Sequence, residues 1–431
     1  MKLRFVNRFF KPIKLHLKNH FLKPIKLRLK FELAKRYRSV LQVLGKVCFI
    51  GVTGSCGKTT TTELIATILA KEGRVQKGSY ENTIPYFVKT ILTVFPWHRF
   101  CVSEVSAHGP GVMEKSVKLL QPQIGVVMHI GQDHYSNYRN LELTAAEKGK
   151  LVESLPVSGV AVLNADDPYV YAMRERTRAR VITYGLSADA MVRGKHLFCA
   201  WPKLMSLDIC YAGKEFHVQT QLLAEHWAYA VLAALATGIA VGVSLERAIQ
   251  AVKTFGPVSG RMSQHETPNG VTFIRDDGKA PLWTIPSCLD FMRTAKAKRK
   301  IMVIGSISDT PKSGYHRSQA VIRQALDVVD EIAFVGAHAS AARRARPREK
   351  GDRVTVFDTL YQLNGFLADY LKAGDLVLLK GSRCADHLQR LVLSRTNDIA
   401  CWREKCEKNC FCSNCRLQHS PFVPTDKVWV S

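Results

Sequence analysis

The segment Phe49-Ile-Gly-Val-Thr-Gly-Ser-Cys-Gly-Lys-Thr-Thr60 constrains the fold more than any other part of the chain. An apolar run leads into a glycine-rich turn, and the turn leads into the start of a helix. Glycines let successive backbone N–H groups curl around phosphate oxygens, and the helix N-terminus adds its positive end. Lys58 supplies a point charge, and Thr59 offers a hydroxyl to Mg2+. In the strict P-loop four residues separate the first glycine from Gly-Lys, whereas Gly51 stands one residue further from Gly57-Lys58. The strand-loop-helix order still assigns nucleotide-phosphate contacts to Gly54, Ser55, Cys56, Gly57, Lys58, Thr59 and Thr60. The plain alternative is a chance glycine turn.

A loop of this kind needs a parallel sheet behind it, and 431 residues are enough for two or three domains. With 46% hydrophobic and 23% charged residues the chain is globular, which excludes a collagen-like repeat, a disulfide miniprotein and a disordered tail. From residue 47 short apolar runs alternate with helical patterns, so an α/β fold with a mostly parallel sheet is expected. Strands are expected at 47–52, 100–105, 124–130, 159–163 and 181–183, followed by a β-rich stretch over 192–223 and an Ala-rich helix over 226–242. A second series begins after Gly260-Arg261, with strands at 271–274, 300–304, 331–335 and 376–379. The expected divisions are a basic arm (1–46), a central P-loop domain (47–258), a smaller Rossmann-like C-terminal domain (259–397) and a Cys-rich tail (398–431). No stretch approaches the roughly 20 apolar residues of a spanning helix, and the opening residues lack a secretory h-region. The expectation is an unsecreted, cytoplasmic protein with reduced thiols.

Charge is unevenly spread. The chain has 62 Lys and Arg against 36 Asp and Glu, a net +26, and residues 1–46 hold fourteen of the cations with one acid, Glu32. Within that arm Lys11-Pro-Ile-Lys-Leu-His-Leu-Lys18 is nearly repeated as Lys23-Pro-Ile-Lys-Leu-Arg-Leu-Lys30. Ile13, Leu15 and Leu17, then Ile25, Leu27 and Leu29, alternate with polar residues in strand periodicity, predicting a cationic hairpin with one apolar face. The same units suit an anionic membrane surface, where each nearby Lys or Arg contributes on the order of 1 kcal/mol. That would place the protein peripherally at the inner membrane face. A solvated tail is an equal reading. Nucleic acid is a poorer match, because the arm has few stacking aromatics and no recognised reading motif.

Further motifs follow the phosphate loop: Ser103-Glu-Val-Ser-Ala-His-Gly109, Ile130-Gly-Gln-Asp-His134, Ala146-Glu-Lys148, Leu163-Asn-Ala-Asp-Asp-Pro168, Gly260-Arg261, Asp276-Asp-Gly-Lys-Ala-Pro281 and Lys380-Gly-Ser-Arg383. In this order, over about 47–395, the set resembles the Mur ligase superfamily, whose members use ATP to join a carboxylate to an amine. The resemblance implies that the carboxylate attacks the γ-phosphate, an acyl phosphate forms, and the amine displaces phosphate. Positioning and charge neutralisation then provide most of the catalysis.

The resemblance also implies residue roles. Thr59 and Glu104 would hold one Mg2+, and His134 would join a second metal site. Lys148 matches a position that carries a CO2-derived carbamate in many members; as plain lysine it would contact phosphate or substrate. Arg261 and Asp277 match positions that engage the nucleotide on domain closure. Lys279, Lys380 and Arg383 are candidates for the acyl phosphate or for the carboxylate of the amine substrate. Without the family, Glu104 reads equally as a helix cap, His134 as a satisfied loop histidine and Arg383 as a surface ion-pair partner.

The departures are specific. The family's His-Asn-x-x-Asn helix start, which helps hold adenine, is His226-Trp-Ala-Tyr-Ala230 here, so only His226 is carried over as a nucleotide contact. Met128-His129 stands for Thr-Asn, and Cys56 for Asn. A degenerate nucleotide-binding scaffold is therefore the rival of an active ligase. Cell-wall members also carry a UDP-sugar-binding domain ahead of the loop, where this chain has the basic arm. That difference favours a lipid-linked, polymeric or otherwise anionic acceptor. Five of the twelve cysteines fall in the last 31 residues, Cys401, Cys406, Cys410, Cys412 and Cys415. They suit Zn2+ or an iron-sulfur cluster, with a flexible thiol-rich tail as the alternative.

Overall fold

The computed structural model describes residues 23–79, 83–133, 135–397, 399–404, 406, 408 and 410–422. His134 and the first copy of the basic near-repeat lie outside them. The described residues divide into two compact units: those within 1–130, 142–185 and 233–248 form one, and those within 131–141, 186–232 and 249–431 the other.

In the first unit, strands β1 (Cys48–Thr53), β2 (Val75–Gly78), β3 (Phe100–Glu104), β4 (Ile124–Val127), β5 (Val160–Asn164) and β6 (Arg180–Gly185) lie in the order β2-β3-β1-β4-β5-β6. Every pairing among them is parallel. Strands of a parallel sheet are covered on both faces and need continuous apolar runs; β3, β4 and β5 are buried throughout. The α/β expectation holds, but the strand expected over 124–130 stops at Val127. There the side chains of Tyr184 and Asn164 take the carbonyls of Val127 and Met128 (both 2.9 Å), turning the chain out of the ladder.

The arm departs from its expected hairpin. Residues Lys23–Val43 form helix α1, with Pro24 in the first turn where its missing N–H costs nothing. Alternation over six residues is shared with a helical pattern, and the longer spacing Leu27, Phe31, Ala34, Arg38, Leu41 decides for the helix. Ala34, Arg38 and Leu41 are at most 1% exposed, facing helices Ile84–Leu92 and Val112–Leu120. Tyr37 donates to the Val94 carbonyl at 2.7 Å and Gln42 to that of Gln121 at 3.1 Å. The opposite face shows Ile25, Leu29, Leu33 and Val40 to solvent.

The second unit contains an antiparallel meander, β7 (Val192–Ala200), β8 (Lys203–Tyr211) and β9 (Lys214–Gln219), where the sequence read as β-rich. Its other sheet has the order β10-β11-β15-β12-β13-β14, using β10 (Ser263–Glu266), β11 (Thr272–Asp276), β12 (Arg299–Ile304), β13 (Glu331–Val335), β14 (Val354–Phe357) and β15 (Asp375–Lys380). Only β10 runs antiparallel. Its core is built from Phe273, Val303, Val377 and Leu379 with covering leucines, and Ile399 and Trp402 of the tail join it.

Burial along α1 has a measurable consequence. Leu41→Ala should destabilise the chain by about 2–4 kcal/mol in denaturant unfolding, whereas Leu33→Ala should stay within about 0.5 kcal/mol. Equal effects would show that the helix does not dock through the Ala34-Arg38-Leu41 face.

Candidate active site

The phosphate loop is set by backbone geometry. Gly54 has φ +146°, and a Cβ there would stand 2.7 Å from the Met128 Cβ, so only glycine lets the loop lie against the end of β4. Gly57, at φ +79°, begins helix α2 (Lys58–Leu69) in the left-handed region. Ser55 N–H donates to the His129 carbonyl at 2.7 Å. Lys58 Nζ and Lys148 Nζ both donate to the Gly54 carbonyl, at 2.5 and 3.3 Å. Two ammonium groups at one oxygen concentrate positive charge where a polyphosphate would sit. Lys148 is 1% exposed and comes from helix α3 (Leu141–Glu153). Its neighbour Glu147 anchors that helix, accepting from Met113 N–H at 3.0 Å and from Lys150 at 2.6 Å.

Glu104 ends β3, in register with Val52 of β1, and is buried. Thr59 and Thr60 are buried at the start of α2, and among the described residues Thr60 Oγ1 has no hydrogen-bond partner. The Thr59 hydroxyl and Glu104 carboxylate are hard oxygen donors of the kind Mg2+ takes, so the donor set fits that ion. Cys56 is partly exposed within the loop.

Asp167 ties the neighbouring chain to this loop. Its Oδ1 accepts from Tyr169 N–H (3.0 Å) and Val170 N–H (3.1 Å), and its Oδ2 from Ile130 N–H (2.8 Å) and His129 Nδ1 (2.6 Å). Burial alone would raise this carboxyl, but the bonds from His129 and Ile130 hold it below the usual carboxylate range. His129, one of the departures from the family pattern, thus fastens the segment whose carbonyl receives Ser55. Sequence reasoning had no signal for that pairing.

In the second unit Asp276 and Lys380 are register partners on β11 and β15, joined at 2.5 Å and both buried. Burial opposes charge on each, yet their mutual attraction wins, lowering the Asp276 pKa and raising that of Lys380. Cys288 Sγ also donates to Asp276 at 3.2 Å, and burial pushes this thiol up to about 12. Beside the pair stands His226, whose ring burial pulls down to about 4. Arg275 grips Asp277 through both carboxylate oxygens (3.0 and 3.1 Å). A Cβ on Gly278 would lie 2.8 Å from Arg261 Nη1, so that glycine lets the guanidinium lie on the loop. Arg261, Asp277, His226 and Lys380 are therefore neighbours around Asp276–Gly278.

Lys279 is held apart from that group, bridging Asp133 (2.7 Å) and Asp309 (3.0 Å). Burial would lower its pKa, but the two carboxylates raise it. The Arg383 guanidinium lies over the Phe411 ring, 5.0 Å from its centroid. Its loop is fixed by Asp386, which accepts from Ser306 N–H (2.8 Å), Ser306 Oγ (2.6 Å) and Ser382 N–H (2.7 Å). Asp386 belongs to no motif and was invisible in the sequence.

Two family models match in order: the Mur ligase middle domain over residues 52–238 and the Mur ligase glutamate ligase domain over 260–383. The UDP-N-acetylmuramoyl-tripeptide–D-alanyl-D-alanine ligase of Mycobacterium leprae is 29% identical over 83% of this chain and 66% of its own length. Its Synechocystis namesake is 27% identical, over 77% of this chain and 71% of its own. The chain thus spans less than two thirds of the first of these relatives. Among solved structures, MurF from Acinetobacter baumannii superposes with TM-score 0.77 at 21% identity, over 85% of this chain and 80% of that one. MurF ligase from Thermotoga maritima in complex with ADP gives 0.73 at 19% identity, over 86% and 82%. At these identities the structural likeness establishes the fold.

His226 supplies a pH test. Between the ordinary histidine pKa of about 6.5 and its folded value of about 4, the unfolded chain takes up a proton that the folded chain refuses, so stability falls on acidification. The slope should lie below the limiting ~1.4 kcal/mol per pH unit, because the ring keeps some solvent contact. His226→Gln should flatten denaturant-derived stability over pH 6.5 to 4; an unchanged slope would assign it to other groups.

Proposed function

The chain belongs to the Mur ligase family, and we propose that it is an ATP-dependent ligase that joins an amino acid or peptide, through its amine, to a carboxylate of an anionic cell-wall-type or polymeric acceptor. The meeting of Lys58 and Lys148 at the Gly54 carbonyl carries this proposal. Lys58 binds and neutralises the terminal phosphates, and the N-terminus of α2 orients them. Lys148, buried beside the loop, holds the transferring group or, as a carbamate, a metal ion. Mg2+, held through Thr59 and Glu104, would supply charge neutralisation between the phosphates. Arg261 and Asp277 take the nucleotide, Arg261 by charge and Asp277 by accepting from a ribose hydroxyl or metal-bound water. Arg383, resting on Phe411, meets the carboxylate of the amine substrate. The Lys380 ammonium, paired with Asp276, serves best by keeping the β11 and β15 ends together.

A nucleotide-binding scaffold is less favoured, because Lys58, Lys148 and Glu104 all remain at the loop. Phosphate release from Mg-ATP should require an acceptor and an amine together, across a panel of muramyl-peptide and polymeric acids. Lys58→Ala should cut that rate by about 10²-fold or more. Mg-ATP binding with no substrate-dependent release would leave the scaffold.

For the arm, the exposed stripe Ile25, Leu29, Leu33 and Val40, flanked by Lys26, Arg28, Lys30 and Arg36, supports docking on an anionic lipid surface. Binding should occur to vesicles containing anionic lipid, not to zwitterionic ones, and weaken with salt. Leu29→Glu with Leu33→Glu should reduce it about tenfold or more. Equal binding to oligonucleotides would redirect the assignment to nucleic acid.

A further inference from the structure

The described residues of the C-terminal tail, within 399–422, pack into the second unit. Ile399 and Trp402 are part of its core, and Phe422 N–H donates to the Ala400 carbonyl at 2.9 Å. Arg390, 3% exposed, reaches the carbonyls of Cys401 (2.9 Å) and Arg403 (2.8 Å), and Gln389 donates to Ser413 Oγ at 3.1 Å. Between these anchors the chain encloses a small cavity lined by His387, Arg390, Lys408 and five cysteines.

Cysteines packed merely as small apolar side chains would not need this lining. His387 is 3% exposed, its Nδ1 stands 3.5 Å from Cys412 Sγ, and among the described residues its Nε2 has no partner of hydrogen-bond geometry. Among the described residues no carboxylate lines the cavity, while two cations do. That balance suits a centre carrying net negative charge, which four thiolates around a divalent ion would have. Cys401 is the least able to move inward, because its N–H and carbonyl are already held by Gln418 and Arg390.

The geometry points to a structural Zn2+ site formed by Cys406, Cys410, Cys412 and Cys415, with His387 donating Nδ1–H to the Cys412 thiolate and Arg390 and Lys408 balancing the charge. Among the described residues no three of these sulfurs lie within 4.8 Å of one another, so the ion must draw the loop inward to Zn–S distances of about 2.3 Å. Binding releases the four thiol protons to solvent and leaves a centre of charge −2. The ion thereby fixes Phe411, which lies between two of the ligands and carries Arg383 and Arg275 over its ring, at 5.0 and 5.9 Å. The site stands whether or not the ligase proposal does, because the ion is assayed without substrates.

The full chain, purified without chelator, should contain about one zinc by elemental mass spectrometry, and Co2+ exchanged into it should show thiolate-to-cobalt charge-transfer absorption. Stripping the ion should expose four further thiols to a thiol reagent and lower the melting temperature, with recovery on Zn2+ addition. Cys412→Ser with Cys415→Ser should abolish zinc retention, while Cys384→Ser, at an exposed cysteine, should keep it. Should the double variant fail to fold, the stripping and recovery of the native chain decide alone. A native chain with no zinc and freely reactive tail thiols, with tail disulfides, with iron and acid-labile sulfide, or with zinc surviving the double substitution would overturn the assignment.

Discussion

The first unit depends on the contact between Gly54 and Met128. Because no side chain separates them, the loop after β1 lies directly on the end of β4, and Ser55 can reach the His129 carbonyl. That carbonyl is steadied by Asp167, which holds His129 and Ile130 from a third strand end. Three consecutive parallel strands, β1, β4 and β5, thus contribute to one rigid edge. A cradle for phosphate is useful when its donors are already oriented, so that little reorganisation is left to the moment of transfer. Lys58 and Lys148 inherit their positions from this edge.

The second unit uses a different device. Asp276 and Lys380 sit opposite one another where two parallel strands end, and each keeps the other charged despite burial. A buried pair of this kind is weak evidence for stability, since well-packed apolar residues often do as well. Its value lies in location. The turn immediately after Asp276 carries Asp277, Gly278 and Lys279, and the turn after Lys380 carries Arg383. Fixing the strand ends fixes where both turns begin.

Much of this was readable from residue order. Long apolar strands such as 331–335 fell where expected, since complete burial leaves a strong apolar signal. The strands with no such signal, Val75–Gly78, Ser263–Glu266 and Val354–Phe357, are the outermost of their sheets and need less apolar surface. Helix α1 was misread because a proline-headed run of alternating Ile, Leu and cations satisfies two periods until Ala34 and Arg38 are counted. The glycine-rich loop stood out as a motif. Asp386 and the His129–Asp167 bond were not, because each joins segments far apart in sequence through ordinary side chains.

Only residues 44–47 separate α1 from β1, and Val47 N–H is bonded back to the Leu41 carbonyl. Arm and nucleotide edge are thus rigidly geared rather than loosely leashed. Were the arm seated on a lipid surface, β1, about 20 Å long over its six residues, would carry the mouth of the loop at a fixed offset from that surface. Encounter with an acceptor confined to such a surface would then be a search in two dimensions.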